Sequence, residues 1–257
     1  MPDTSPASVR SLYRVPALLA TFSELTAAES TRHGGISPPP YQSLNLGFNT
    51  DDVPEHTEEN RRLFFSALGI DPERVVSSHQ CHGTELMTAT QPGRFDGYDA
   101  LITAVPGLVV AVSIADCVPI LVYDTGERAV AAIHAGWRGT VGGIVSKTLR
   151  AMQQQFGTRP GDCFAYVGTC IDKTSFEVGP DVAGAFDAPF VAAGNQPGTF
   201  LVNLQAANAR QLTDFGIPSD QIGFSPYSTV LNNDDYFSHR AERGQTGRML
   251  AVIGLNS

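Results

Sequence analysis

Three apolar runs near the centre of the chain, residues 108–114, 118–123 and 129–134, constrain its fold more than any other feature. Each is rich in β-branched residues and too short for an ordinary helix, so each reads as a strand. Their hydrophobicity is nearly continuous rather than alternating. Such strands have no polar face to give to water, and the sheet that holds them must be covered on both sides.

The covering helices follow from apolar spacing. Residues 57–68 put Leu63, Phe64, Ala67 and Leu68 on one face, and Gly69 supplies a stop. Residues 140–156 switch to helical spacing after the glycines between Gly136 and Gly143, and residues 204–215 give a further helix. Short strands are expected at residues 74–78, 164–167 and 250–255. The most loop-like stretch, residues 34–40, contains three consecutive prolines. Apolar patterning resumes on either side, so this loop joins two parts of one core. The expected fold is α+β, a single domain over residues 1–257 with a large mixed β-sheet system covered by helices. Residues 1–20 are expected to form a less ordered N-terminal segment. The order of the strands does not follow from the sequence.

Composition narrows the function. A chain of 257 residues with 42% hydrophobic and 17% charged residues can bury a sizeable core. The net charge of −9, from 26 acidic and 17 basic residues, argues against a nucleic-acid partner, which needs a basic face. It leaves room for a small basic pocket around an anionic ligand. No run approaches the roughly 18 apolar residues of a membrane span. The apolar stretch before Ala20 is short, contains Pro16, and does not read as a secretory signal. Four irregularly spaced cysteines (Cys81, Cys117, Cys163 and Cys170) do not form a disulfide framework. A cytoplasmic location with reduced thiols is expected.

Three residues at strand ends carry metal-binding chemistry. His82 follows the strand at 74–78, Cys117 lies between two buried strands, and His134 ends a third. A catalytic zinc takes three protein ligands from thiolate sulfur and imidazole nitrogen and keeps one position open. By spacing alone, Cys117 also reads as a small buried hydrophobe, and either histidine as a hydrogen-bonded structural residue. Gly83, Gly136 and Gly139 beside the histidines favour the functional reading, because glycine lets backbone approach a ligand closely.

Five segments extend that reading. Thr31-Arg32-His33-Gly34-Gly35-Ile36-Ser37, followed by Tyr41-Gln42-Ser43-Leu44-Asn45-Leu46-Gly47, resembles the opening motif of the YfiH family. These proteins were once described as polyphenol oxidases or laccases and are now regarded as purine nucleoside phosphorylases. Gln80-Cys81-His82-Gly83-Thr84, Ala115-Asp116-Cys117-Val118-Pro119-Ile120 and His134-Ala135-Gly136-Trp137-Arg138-Gly139 match the next three motifs in order. Phe237-Ser238-His239-Arg240 and Thr246-Gly247-Arg248 match the closing one. The resemblance implies that His82, Cys117 and His134 are the metal ligands. It also implies phosphorolysis of adenosine, inosine, guanosine and methylthioadenosine, with adenosine deamination as an added activity. The chain departs from the family at Cys81, where an apolar residue is usual, and at Thr169, Cys170, Tyr227, Ser228 and Ala241. Neighbouring residues of an extended segment point to opposite faces, so Cys81 is expected to turn away from the metal.

Further roles are assigned inside the matched motifs. Zinc lowers the pKa of bound water to roughly 7, which would account for deamination. Phosphorolysis needs a phosphate cradle, and the planar guanidinium suits phosphate oxygens. Arg32 is the first choice, with Arg138, Arg240 and Arg248 behind it, against the alternative that some of the four are structural ion-pair residues. Ser43 and Asn45 are candidates for substrate hydrogen bonds or, more commonly for such residues, for loop fixing. His79 is a candidate proton donor to the base. Asp116 would orient a ligand imidazole or cap a turn, and Trp137 would stack a purine or pack in the core. Two other readings remain: a copper-dependent polyphenol oxidase, since Cys and His also suit copper, and a non-catalytic protein stapled by zinc. The latter needs a fourth ligand, for which His33, His79 or Cys81 would serve.

Overall fold

The computed structural model describes residues 11–257, and in it the three central runs become the strands Val109–Ile114, Val118–Asp124 and Ala129–Ala135. They are divided between two sheets. Val109–Ile114 belongs to a six-stranded sheet with the spatial order Tyr13–Arg14, Leu25–Ser30, Met249–Leu255, Val109–Ile114, Val75–His79, Gly93–Asp96. The other two pair antiparallel within a second six-stranded sheet, ordered Ile222–Phe224, Cys163–Val167, Val118–Asp124, Ala129–Ala135, Ala100–Thr103, Leu86–Thr88. Both sheets are mixed: Val75–His79 runs parallel to its two neighbours, as Leu86–Thr88 does to Ala100–Thr103.

The sheets stack face to face, which explains the absence of a polar face along the central strands. On Val118–Asp124, Leu121 and Tyr123 point into the space between the sheets, where they join Val110, Val112, Ala251 and Ile253. Ile120 and Val122 point the other way, onto Leu149 and Met152 of helix Ile144–Phe156 and Leu212 of helix Leu204–Phe215. Alternating side chains of one strand therefore fill two different apolar layers. Across the first sheet, helix Pro54–Ala67 covers the outer face, with Phe64 and Phe65 against Val109, Ala111, Leu250 and Val252. The result is four layers: helix, sheet, sheet, helices. No helix among the described residues is long and apolar enough to cross a membrane.

Two local expectations differ from the structure, and one feature is additional. The single helix expected over 140–156 is two, Trp137–Val141 and Ile144–Phe156, broken where Gly143 takes φ 76°. Part of the segment expected to be less ordered is a strand: Tyr13 and Arg14 pair with Ser30 and Glu29, and the Arg14 guanidinium lies 4.2 Å from the Tyr227 ring centroid. Residues 1–10 lie outside the described residues. A small third sheet of Glu177–Val178, Phe200–Val202 and Val191–Ala193 was not foreseen, since strands of two or three residues carry no readable period.

The layer between the sheets sets a stability test. Leu121 is fully buried there, so Leu121→Ala is expected to cost about 2–5 kcal/mol. Urea unfolding should show a lower midpoint with an unchanged slope. A loss below about 1 kcal/mol would mean that the two sheets close over the missing volume.

Candidate metal centre

The chain crosses between the sheets at two places that meet at one end of the stack. One crossing runs from Val75–His79 to Leu86–Thr88 and carries His82; the other runs from Val109–Ile114 to Val118–Asp124 and carries Cys117. His134 lies near the end of Ala129–Ala135, opposite Pro119. Each crossing holds a non-glycine residue in the left-handed region, His82 at φ 58° and Asp116 at φ 88°. Few residues adopt that conformation, and it persists only where the surroundings over-determine it.

Two carboxylates do so here. Asp99, fully buried, accepts the backbone N–H groups of Cys81, His82 and Gly83 at 3.2, 3.0 and 2.8 Å. Asp116 accepts the Thr229 and Ser238 hydroxyls at 2.6 and 2.7 Å and the Arg240 N–H at 2.6 Å.

The donor atoms of His82, Cys117 and His134 all lie within 4.8 Å of one another. The two imidazoles meet edge to face at 81°, with ring centroids 4.8 Å apart. Gly136 closes over the group, and a Cβ there would press at 3.1 Å on both Cys117 Sγ and His82 Cδ2. Asp99 Oδ1 also sits 2.8 Å from His134 Nδ1. That bond commits Nδ1 and leaves Nε2 as the nitrogen available for ligation.

Charge at the site follows from this packing. Burial by itself would raise the Cys117 thiol, but the His134 charge and hydrogen bonds from both histidines outweigh it and bring it down to about 6. Burial would likewise lower His134, yet Cys117 and Asp99 push it up to about 9. The thiolate, the form that ligates metals, is therefore favoured at neutral pH. Burial would also raise Asp99, and His134 with the Gly83 and Cys81 N–H groups holds it below the usual carboxylate range.

The three donors open onto a cleft of about 550 Å³. Arg61, Arg94, Arg138, Arg240 and Arg248 line it, and Asp116 is the one carboxylate among its lining residues. A thiolate and two imidazoles facing a cleft match a one-metal site with an open coordination position. No other grouping of three or more His, Cys, Asp or Glu side chains with such geometry occurs among the described residues. The donor set therefore fits one ion and not a multicopper cluster.

The remaining candidates divide. His79, Arg138, Arg240 and Arg248 line the cleft, as does Trp137, which also packs against the core under the Arg138 guanidinium. Arg32 is not among the residues that line the cleft. Its guanidinium donates to Gln42 O, Asn233 O and Glu242 Oε1 at 3.0, 2.8 and 2.9 Å and stacks on Phe237, so each of its three nitrogens already has a partner within the fold. Ser43 and Asn45 are likewise loop residues. Ser43 Oγ accepts from Gly35 N, while Asn45 Oδ1 accepts the N–H groups of Gly47 and Arg248. Asn45 is fully buried and acts by seating Arg248 and the Gly47-Phe48 turn. Asp116 caps its crossing, and its side-chain hydrogen bonds among the described residues go to Thr229, Ser238 and Arg240 and not to an imidazole. None of His33, His79 and Cys81 joins the three donors: His33 meets Asp235, His79 lies 3.7 Å from Asp96, and Cys81 Sγ points at His79 O. Asp99 was missed by sequence reading. Its one signal is an acid placed immediately before the buried strand Ala100–Thr103.

Residues 26–256 match the family described as "Multi-copper polyphenol oxidoreductase laccase". A Bacteroides thetaiotaomicron protein named purine nucleoside phosphorylase is 37% identical, covering 91% of this chain and 93% of its own. Purine nucleoside phosphorylase YfiH of Escherichia coli is 38% identical over 90% and 94% of the two chains. Among solved structures, YlmD of Geobacillus stearothermophilus superposes with a TM-score of 0.88 at 32% identity, covering 92% of this chain and 93% of that one. Bacillus licheniformis YfiH gives 0.89 at 30% identity, covering 95% and 98%.

Two variants test the centre, with zinc as the probe. Cys117→Ser should lose tight zinc binding while keeping its far-ultraviolet dichroism, because a hydroxyl is a poor ligand and the core is untouched. About one zinc per chain in that variant would remove Cys117 from the ligand set. Asp99→Asn should weaken zinc binding by about 10- to 100-fold, read by competition with a chromophoric chelator. Unchanged affinity would show that His134 is oriented without it.

Proposed function

The chain belongs to this laccase-like YfiH family, and from that membership and the cleft we propose that it is a zinc-dependent purine nucleoside phosphorylase. Adenosine, inosine, guanosine and methylthioadenosine plus phosphate would give the free base and the 1-phosphate of the sugar. Adenosine would also be deaminated, and the protein would work in the cytoplasm. The observation that carries the reading is the union of a three-donor centre with an arginine-lined cleft in a chain of net charge −9.

Zinc held by His82, Cys117 and His134 supplies Lewis acidity and a means of activating water near neutral pH. The other requirements fall to side chains. Phosphate must be held against the anomeric carbon while positive charge develops on the sugar. Cleft guanidiniums serve that end electrostatically. The departing base needs a proton, and His79 on the cleft wall, 3.7 Å from Asp96, is the candidate donor. The same soft donors suit copper, so a phenol-oxidising activity is the competing outcome.

The test is metal-quantified protein incubated with adenosine, with and without phosphate, and its products read by mass. Adenine and ribose 1-phosphate should form only with phosphate, and inosine should form without it. His82→Ala should lose deamination most completely. Free ribose formed without phosphate would make the protein a nucleoside hydrolase. Phenol oxidation with stoichiometric copper and no nucleoside turnover would make it an oxidase.

A further inference from the structure

We propose that Arg61 and Arg94, clasped around Phe48 in the same cleft, form a subsite for a phosphate dianion; its catalytic meaning rests on the phosphorylase reading above. Arg61 comes from helix Pro54–Ala67 and donates Nη1 to Leu46 O at 2.9 Å. Arg94 comes from the edge strand Gly93–Asp96 and donates Nη2 to Asn49 Oδ1 at 3.1 Å. Their guanidinium carbons lie 4.8 and 4.5 Å from the centroid of the same Phe48 ring. Contact with an aromatic face holds each plane in a fixed orientation.

Among the described residues none of the five cleft arginines makes an ion pair, and the shared Phe48 ring sets this pair apart. Arg14, Arg32, Arg62, Arg159 and Arg210 each have a carboxylate within 4 Å. Among the described residues, neither Arg61 nor Arg94 has an ion-pair partner. Burial, together with the neighbouring Arg94 charge, brings Arg61 down to about 10. Two cations held against one ring, one of them half-buried, repel each other until an anion enters between them. Two planar forks and two positive charges suit a tetrahedral dianion better than a single carboxylate.

The other cleft arginines are more committed. Arg240 Nη1 donates to the carbonyls of Ser175 and Glu177, and Arg248 Nη1 to those of Thr246 and Gly247. Arg138 stacks on Trp137, next in sequence to the loop that covers the metal donors. Position along the cleft supports the same choice. Ser77 pairs with Arg94 across the two parallel strands, and His79 lies two residues on, roughly 7 Å at about 3.3 Å per residue. His82 follows beyond the strand end. The guanidinium pair and the metal donors thus line different parts of one cleft. The base would face the metal, and the phosphate would enter from the arginine end.

The phosphate could arrive as the free ion or as the 5′-ester of a nucleotide, and calorimetry with zinc-loaded full-length protein separates the two. Inorganic phosphate and adenosine 5′-monophosphate are each titrated into wild type, Arg94→Ala, Arg61→Lys and, as a charge-loss control, Arg210→Ala. Arg94 is exposed, so its removal should leave the fold intact, and Arg61→Lys keeps the buried charge while removing the fork. Inorganic phosphate should bind Arg94→Ala about 10- to 100-fold more weakly, with a smaller loss in Arg61→Lys and none in Arg210→Ala. Dependence on Arg94 for the monophosphate alone would assign the subsite to the nucleotide ester. Equal binding of both ligands by wild type and Arg94→Ala would overturn the subsite. Turnover keeps the two readings apart: phosphate-dependent cleavage by wild type, with an unchanged phosphate KM in Arg94→Ala, discards the subsite and keeps the phosphorylase. Absence of that cleavage discards the phosphorylase, and the phosphate titrations still decide the subsite.

Discussion

The Asp99 carboxylate is the interaction on which the site depends. It is fully buried, and a buried charge survives only when hydrogen bonds and an opposite charge replace the water it has lost. Three backbone N–H groups and the His134 ring supply them. In doing so they tie the loop that carries one ligand to the strand that carries another. The three N–H bonds to Asp99 hold the turn at His82 in its left-handed conformation at φ 58°. Asp99 therefore sets the ligand positions without touching the metal, and its own low pKa is the electrostatic record of that work.

Placing the centre at the junction of two sheets has a physical logic. Strands buried on both faces are rigid, so ligands at their ends are held with little freedom. At the crossings between sheets the chain leaves this packing, and there the backbone can turn side chains toward a common point. Cys117 follows Asp116, whose carboxylate fixes the second crossing by gathering Thr229, Ser238 and the backbone of Arg240. The closing motif is thus drawn onto the centre by hydrogen bonds to Asp116. The opening motif works similarly at the other wall of the cleft. Asn45 seats the backbone of Arg248, and Gly47 passes so close that a Cβ would lie 2.5 Å from Arg248 Cγ. Residues that resemble substrate contacts in the motif are, in the fold, the scaffold for the residues that do line the cleft.

The sequence alone determined what depends on residue type and local period. Unbroken apolar runs at 108–114, 118–123 and 129–134 required strands buried on both faces, and helical spacing at 204–215 matched Leu204–Phe215 to the residue. Motif order pointed to the family, and that resemblance, more than spacing, singled out His82, Cys117 and His134. Only the tertiary structure divided the strands between two sheets, since apolar alternation shows that a face is buried and not against what. It alone separated Arg32 from Arg61 and Arg94. All are arginines, but one gives each guanidinium nitrogen to Glu242 or a carbonyl, while the others share an aromatic ring and make no ion pair among the described residues. Asp99 was equally hidden, because its partners lie 16 to 35 residues away along the chain. A charge acquires its role from what folding places beside it, and that proximity is long-range in sequence.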